Sequence, residues 1–273
     1  MSKVTIPDLH AMKRNGEKIF GVVAWDTHMA AIADRVGVEI VSVGDTVGKN
    51  LWGHDYPFQV TMDEMVTVAR AVRRGVSRAL VSADFPYGPL QEGTESALRA
   101  AIRFVREAGV DMIKLDGAAD YPEAVTALTR AGIPVWAQFG LTPQTALALG
   151  IPYENQAGSD AGLPDDMADR MIEQASMLEA AGAVLLDFTN SGPVVGPKVT
   201  AAVTIPVIGG FGGGPWLDGR VRLAQAAIGY NVAALDREPD AYANVARVIH
   251  DALAECAGDV RAARQIKGQP GRS

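Results

Sequence analysis

Short apolar runs alternate with amphipathic stretches along nearly the whole chain. The runs are FGVVAWD, EIVSVGD, ALVSAD, MIKLD, PVWAQFG, AVLLDFT and PVIGGFG, with a weaker one spanning Arg220 to Gln225 in GRVRLAQ. Runs this short and this rich in Val, Ile and Leu predict strands of a buried parallel sheet. Between them, MDEMVTVARAVRRGV, TESALRAAIRFVREAG, YPEAVTALTRAG and PDDMADRMIEQASMLEAAG carry apolar residues at helical spacing. Several of these open on Thr or Asp and most close on Gly, as helices do. Each strand–helix–strand unit is right-handed and about thirty residues long, and seven or eight of them close into a barrel more readily than they spread as an open sheet. The pattern therefore predicts an α/β fold, a (β/α)8 TIM barrel, with the segment up to Gly16 forming an N-terminal helix across the barrel bottom. The length of 273 residues suits one such domain, for which about 250 residues is usual. One domain over 1–273 is expected, with the polar tail 264–273 frayed.

Composition narrows the partners. A formal net charge of −7 with no basic patch or aromatic-basic stripe argues against nucleic acid and against an anionic membrane surface. No apolar run approaches the roughly 20 residues that span a bilayer, and the N-terminal stretch has no signal-peptide core. The single cysteine, Cys256, excludes an internal disulfide, so a cytoplasmic location is expected.

Candidate chemistry sits at strand ends. Asp45 in VSVGD, Asp84 in ALVSAD and Asp116 in MIKLD each close an apolar run and each precede a Gly or Pro within a short loop. One such aspartate is ordinarily a helix cap or turn residue. Three in a row at the carboxyl ends of barrel strands, where active sites of this fold are built, point to one cation site. Oxygen ligands suit Mg²⁺, which takes one or two protein carboxylates and completes its shell with water and substrate. Four histidines without H-x-x-x-H spacing and one cysteine make a soft-metal site a poor fit.

The glycine cluster Gly209-Gly210-Phe211-Gly212-Gly213-Gly214 follows the seventh run. It reads either as a close-packed turn or as an anion site whose backbone N–H groups only glycine lets approach. It lacks the P-loop pattern and the placement of a dinucleotide fingerprint. His28, and His54 beside Asp55, read as loop residues near the barrel mouth. Trp25 reads as a rim aromatic or a substrate-stacking one. Met62, Met65, Met167 and Met171 fall at helical spacing and read as core.

The series VSVGDTVG, VTMDEM, RALVSADFPYG, IKLDG, AGIPVWAQFGLTPQ, LEAAGAVLLDF and TIPVIGGFGGGPWLDGRV, from about Ile6 to Tyr230, resembles the ketopantoate hydroxymethyltransferase family of the phosphoenolpyruvate mutase and isocitrate lyase superfamily. The corresponding family pattern runs VGDS, ADLPFG, KLEGG, GHLGLTPQ, a strand-end VLE, and SIPTIGIGAG. The resemblance implies a (β/α)8 barrel with Asp45, Asp84 and Asp116 around Mg²⁺, or Mn²⁺ or Co²⁺ in its place. It sets Thr46 and Lys114 against a 2-oxo acid, with Gln138 and the loop of Gly210 and Gly212 bordering it, and makes Asp187 the base. The implied reaction transfers a hydroxymethyl group from 5,10-methylenetetrahydrofolate to the enolate of the 2-oxo acid, in a homo-oligomer.

Four positions depart from that pattern. Asp116 and Asp187 stand where the family has Glu, Gln138 where it has His, and Thr46 where it has Ser. Each Glu-to-Asp change withdraws a carboxylate by roughly 1.5 Å, and such a misplacement can cost about a hundredfold in rate. Gln138 can orient a substrate but cannot shuttle protons. Such a recut pocket is expected either to admit a bulkier 2-oxo acid or to let the base reach a differently placed proton. Two alternatives keep the site: a folate-independent aldolase or carbon–carbon lyase of the same superfamily, and a silent paralogue that binds a 2-oxo acid. From its flanking residues in AVLLDF, Asp187 is expected to lie in apolar surroundings.

Overall fold

The computed structural model describes residues 2–142, 144 and 167–268. Its strands close in chain order into a parallel barrel: β1 (Ile19–Val23), β2 (Ile40–Val43), β3 (Leu80–Asp84), β4 (Met112–Leu115), β5 (Val135–Gly140), β6 (Leu185–Thr189), β7 (Val207–Gly209) and β8 (Gly219–Leu223). Each of these strands falls on one of the apolar runs, the weak eighth included, with β1 starting one residue before FGVVAWD. The helices are α1 (Ile6–Asn15), α2 (Thr27–Val36), α3 (Val47–Leu51), α4 (Met62–Gly75), α5 (Thr94–Arg103), α6 (Pro122–Arg130), α7 (Ala168–Ala180), α8 (Val195–Ala202), α9 (Ala224–Ala227) and α10 (Val245–Arg261). Residues 164–166, Pro143 and the tail beyond Gly268 lie outside the described residues.

Local sequence explains where elements begin and what they bury. Thr61 and Glu64 cap each other's backbone N–H at the start of α4, whose Met65, Val66, Ala69 and Val72 then face the sheet. On α1, Lys13 Nζ donates to Thr200 O and Ile205 O, each at 2.9 Å, and pairs with Asp218 at 3.0 Å. Its neighbour His10 lies 2.8 Å from Val184 O. These partners precede β6, β7 and β8, so α1 covers the amino-terminal end of the barrel, as the sequence suggests. The stretch TESALRAAIRFVREAG departs from a plain helix: α5 passes into a π-helical turn over Phe104–Ala108. That wider turn accompanies the stacking of buried Phe104 on Phe85, with ring centroids 6.1 Å apart, and the pairing of Glu107 with Arg103 and Arg70.

Asp34 ties α2 to the strand that carries Asp84. Its carboxylate accepts from Ser77 N at 2.9 Å, Ser77 Oγ at 2.8 Å, Arg78 N at 3.0 Å and Ala79 N at 2.8 Å. Burial alone would push its pKa up, but these hydrogen bonds outweigh it and hold the group below the ordinary carboxylate range. A depressed carboxyl contributes stability above its unfolded pKa and loses it as pH falls through the folded value. Asp34→Ala is expected to lower stability by about 3 kcal/mol, since it strands several backbone donors, and to flatten the acid limb of a denaturant-midpoint against pH curve.

Packing divides the chain into two compact units, 1–221 and 222–273. Within the second, Asn244 caps α10 through Arg247 N and donates to Ala234 O at 3.0 Å.

Candidate active site

Parallel register sets the side chains that matter into one layer at the carboxyl ends of the strands. Asp84 at the end of β3 is in register with Lys114 of β4, Lys114 with Trp136 of β5, and Gln138 of β5 with Asp187 of β6. Asp45 follows β2 by one Gly, and Asp116 follows β4 directly. Gly44 permits the tight approach: a Cβ there would stand 2.8 Å from Thr46 Oγ1 and 3.1 Å from Val23.

Lys114 is the centre of the layer. Its ammonium, on a 9% exposed residue, lies 3.3 Å from Asp84 Oδ2, 3.1 Å from Asp187 Oδ2 and 5.3 Å from the centroid of the Trp136 ring. Burial opposes the charge, but Asp84 and Asp187 outweigh it and raise the lysine pKa above its usual range. Asp187 is therefore not in the apolar surroundings expected from AVLLDF. Its neighbours along the strand face outward, where Phe188 stacks on Phe139 at 4.6 Å, while register across the barrel brings a cation to it.

The acids strain against one another. Burial, then Asp84 and Asp116, push Asp45 well above the ordinary carboxylate value. Burial also raises Asp84, against the pull of Lys114. It raises Asp116 to about 6, although a Thr142 hydrogen bond, Lys114 and the Gln144 N–H oppose the shift. Asp116 Oδ1 and Asp187 Oδ1 are buried without a hydrogen-bond partner among the described residues. Crowded, oxygen-only, partly unsatisfied carboxylates fit a hard divalent cation. Among the described residues, no three His, Cys, Asp or Glu side chains stand close enough to ligate one ion directly, which leaves part of any coordination shell to water or substrate.

Other candidates separate into those near this layer and those apart from it. Thr46 is buried at the start of α3, and Gln138, 4% exposed, donates to Thr189 Oγ1 at 3.1 Å. Gly210 and Gly212 lie in the loop after β7, where Arg220 donates to Gly210 O and Gly213 O. Gly212 has φ +59° and its Cα packs so closely on Asn190 that a Cβ would clash with that side chain. Asn190, itself at φ 56°, donates its backbone N–H to Phe211 O and its Nδ2 to Leu141 O, so it stitches the mouth loops of β5, β6 and β7. Trp25 is a packed aromatic, 4% exposed, donating Nε1 to Gly44 O at 3.0 Å. Asp26 caps α2 and His28 is exposed. His54 is half-buried, its Nδ1 without a hydrogen-bond partner among the described residues.

Sequence reasoning missed Ser42, Ser82, Thr142, Gln144 and Trp136. Ser42 and Ser82 share a 2.8 Å hydrogen bond, and Ser42 reaches Asp84 Oδ1 at 3.4 Å. Gln144 N donates to Asp116 Oδ2 at 3.3 Å. The two serines interrupt otherwise apolar runs, and Thr142 and Gln144 lie in GLTPQ, so both carried a readable signal.

Residues 3–265 match the model of the ketopantoate hydroxymethyltransferase family. The chain belongs to that family. Relatives named 3-methyl-2-oxobutanoate hydroxymethyltransferase include one from Cyanothece sp., 38% identical over 94% of this chain and 96% of its own. Another, from Nocardioides sp., is 36% identical over 96% of this chain and 86% of its own. Among solved structures, 2,3-dimethylmalate lyase, described as a PEP mutase/isocitrate lyase superfamily member, aligns with a TM-score of 0.61 at 14% identity, covering 97% of this chain and 91% of that one. A putative phosphonomutase from Burkholderia cenocepacia aligns at 0.60 and 16% identity, over 95% and 100%. At those identities the structural likeness speaks for the barrel alone. Among the described residues no helix is long and apolar enough to cross a membrane.

Proposed function

We propose that the protein enolises a 2-oxo acid, 3-methyl-2-oxobutanoate or a relative, and transfers to it a hydroxymethyl group from 5,10-methylenetetrahydrofolate. The observation that carries this reading is Lys114 buried between Asp84 and Asp187 in a ring of carboxylates at the barrel mouth. Asp45 and Asp84, with Asp116 beside them, would hold Mg²⁺. A divalent ion held there would supply stabilisation of the negative charge that develops when the 2-oxo acid is enolised. Lys114 faces the substrate oxygens and anchors Asp187 through Oδ2, which leaves Oδ1, buried and without a partner among the described residues, to take the C3 proton. The enolate carbon then bonds to the one-carbon unit at the aldehyde level, and the proton returns to the new hydroxyl. One water is consumed in releasing that unit from the folate nitrogens. Thr46 and Gln138 orient the acid. The family name carried by full-length relatives supports the same reaction.

Supplying 5,10-methylenetetrahydrofolate should give the hydroxymethylated 2-oxo acid in step with tetrahydrofolate release. Cleavage or joining of a 2-oxo acid that ignores folate would instead assign a lyase of the superfamily.

The raised carboxyls give a pH dependence. Relative to the unfolded chain, a raised carboxyl contributes stability at low pH that is lost as pH rises through its folded value, which for Asp116 is about 6. Mg²⁺ competes with those protons. The rise in melting temperature produced by Mg²⁺ should therefore be larger at pH 7.5 than at pH 5, by differential scanning fluorimetry; an equal rise would separate these carboxyls from the metal.

A further inference from the structure

Trp136 is the largest of the fully buried side chains, and the reaction above gives it no part. It stands on β5 in register with Lys114 of β4, its ring centroid 5.3 Å from the lysine Nζ. Packing alone does not account for it. The indole Nε1 is buried without a hydrogen-bond partner among the described residues, although a buried tryptophan N–H ordinarily finds one. An apolar side chain would fill the space and strand no donor. What the indole adds is a negative ring face, and the group that meets this face is a cation. A lysine ammonium carries three donors. At Lys114 the described polar partners are Asp84 Oδ2 at 3.3 Å and Asp187 Oδ2 at 3.1 Å, and the indole is the third neighbour.

We propose that Trp136 is a positioning residue for the reaction, its ring face holding the Lys114 ammonium in place while the carboxylates beside that ammonium change their charge or their partners. The inference rests on the enolising reading and adds a residue to it. During a turnover Asp187 gives up its negative charge when it takes the C3 proton, and Asp84 is shared with the cation it is assigned to hold. Either change loosens an ion pair at Lys114. The ring neither titrates nor ligates, so its attraction is constant, and it acts in an interior where water does not screen it. In the resting site both carboxylates already hold Lys114. The contribution of Trp136 is therefore largest as the enolate forms, and it falls on kcat rather than on KM.

The test places fluorinated tryptophans at position 136 alone in the full chain, since fluorine draws charge from the ring face and leaves its shape nearly unchanged. With Mg²⁺ and no folate, kcat for C3-proton exchange of 3-methyl-2-oxobutanoate should fall stepwise with each added fluorine. The tetrafluoro ring should reach about a tenth of wild type, with KM within about twofold. Trp136→Phe, which keeps a weaker face, should lose less than Trp136→Leu, which has none. Independently of turnover, proton NMR of the chain isotope-labelled at lysine Nζ should place the Lys114 ammonium upfield of the other lysines, because it lies over the ring. Lys114→Met assigns that signal, and Trp136→Leu should move it downfield. Exchange indifferent to fluorine, or an unshifted ammonium, would overturn the proposal. Exchange that quickens with fluorine would assign the indole N–H rather than its face and would overturn it too. An upfield ammonium in a wild type that exchanges no proton would support the contact and count instead against the enolising reading.

Discussion

Asp187→Asn is expected to slow proton abstraction by about a thousandfold, within the range that a positioned general base supplies, while metal and 2-oxo acid still bind. The substitution preserves shape at a site only 3% exposed, so no cavity opens. It removes the acceptor that takes the C3 proton, since the amide oxygen is a far weaker base. Lys114 keeps its 3.3 Å contact with Asp84 and remains charged. The measurement is turnover alongside calorimetric affinity for Mg²⁺ and for the 2-oxo acid. A rate within about tenfold of wild type lies below what a general base contributes and would pass the role to another group.

Asp84→Ala and Asp45→Ala should each abolish metal-dependent turnover, a loss of at least about a thousandfold if the ion supplies several kcal/mol of charge stabilisation. Asp45→Ala also relieves repulsion, because burial, then Asp84 and Asp116, push that carboxyl up in the metal-free protein, whereas Asp84→Ala sheds a carboxyl that burial raises together with one of the two partners of Lys114. Asp45→Ala should therefore fold at least as well as wild type without metal, and both variants should lose the stabilisation that Mg²⁺ confers on wild type. Lys114 retains Asp187 at 3.1 Å in the Asp84 variant, so the strand layer survives. Metal affinity unchanged in both variants would end the assignment of these two residues.

The barrel was legible because its strands are buried on both faces and their helices on one, so apolar runs and helical spacing both survive in the sequence. Even the weak run GRVRLAQ forms β8, over Gly219–Leu223. The π-helical turn at Phe104–Ala108 was not legible, because it reflects what Phe104 and Glu107 meet on neighbouring elements rather than any local preference. The acids at strand ends were visible as isolated polar residues closing apolar runs.

What the sequence could not express is register. The alignment of Lys114 with Asp84 on one side and Trp136 on the other depends on how far each strand is shifted along its neighbour. For that reason the polar surroundings of Asp187 were read as apolar. Asn190, with φ 56°, likewise gains meaning only when the three loops it joins are in place.

Enolisation is tested most directly by proton NMR of 3-methyl-2-oxobutanoate in D₂O with enzyme and Mg²⁺, in the absence of folate. The expected result is loss of the C3 proton signal that requires the metal and disappears in Asp187→Asn. Retention of that signal, with a panel of bulkier and dicarboxylic 2-oxo acids equally inert, would contradict an enolising site at Asp187 and Lys114.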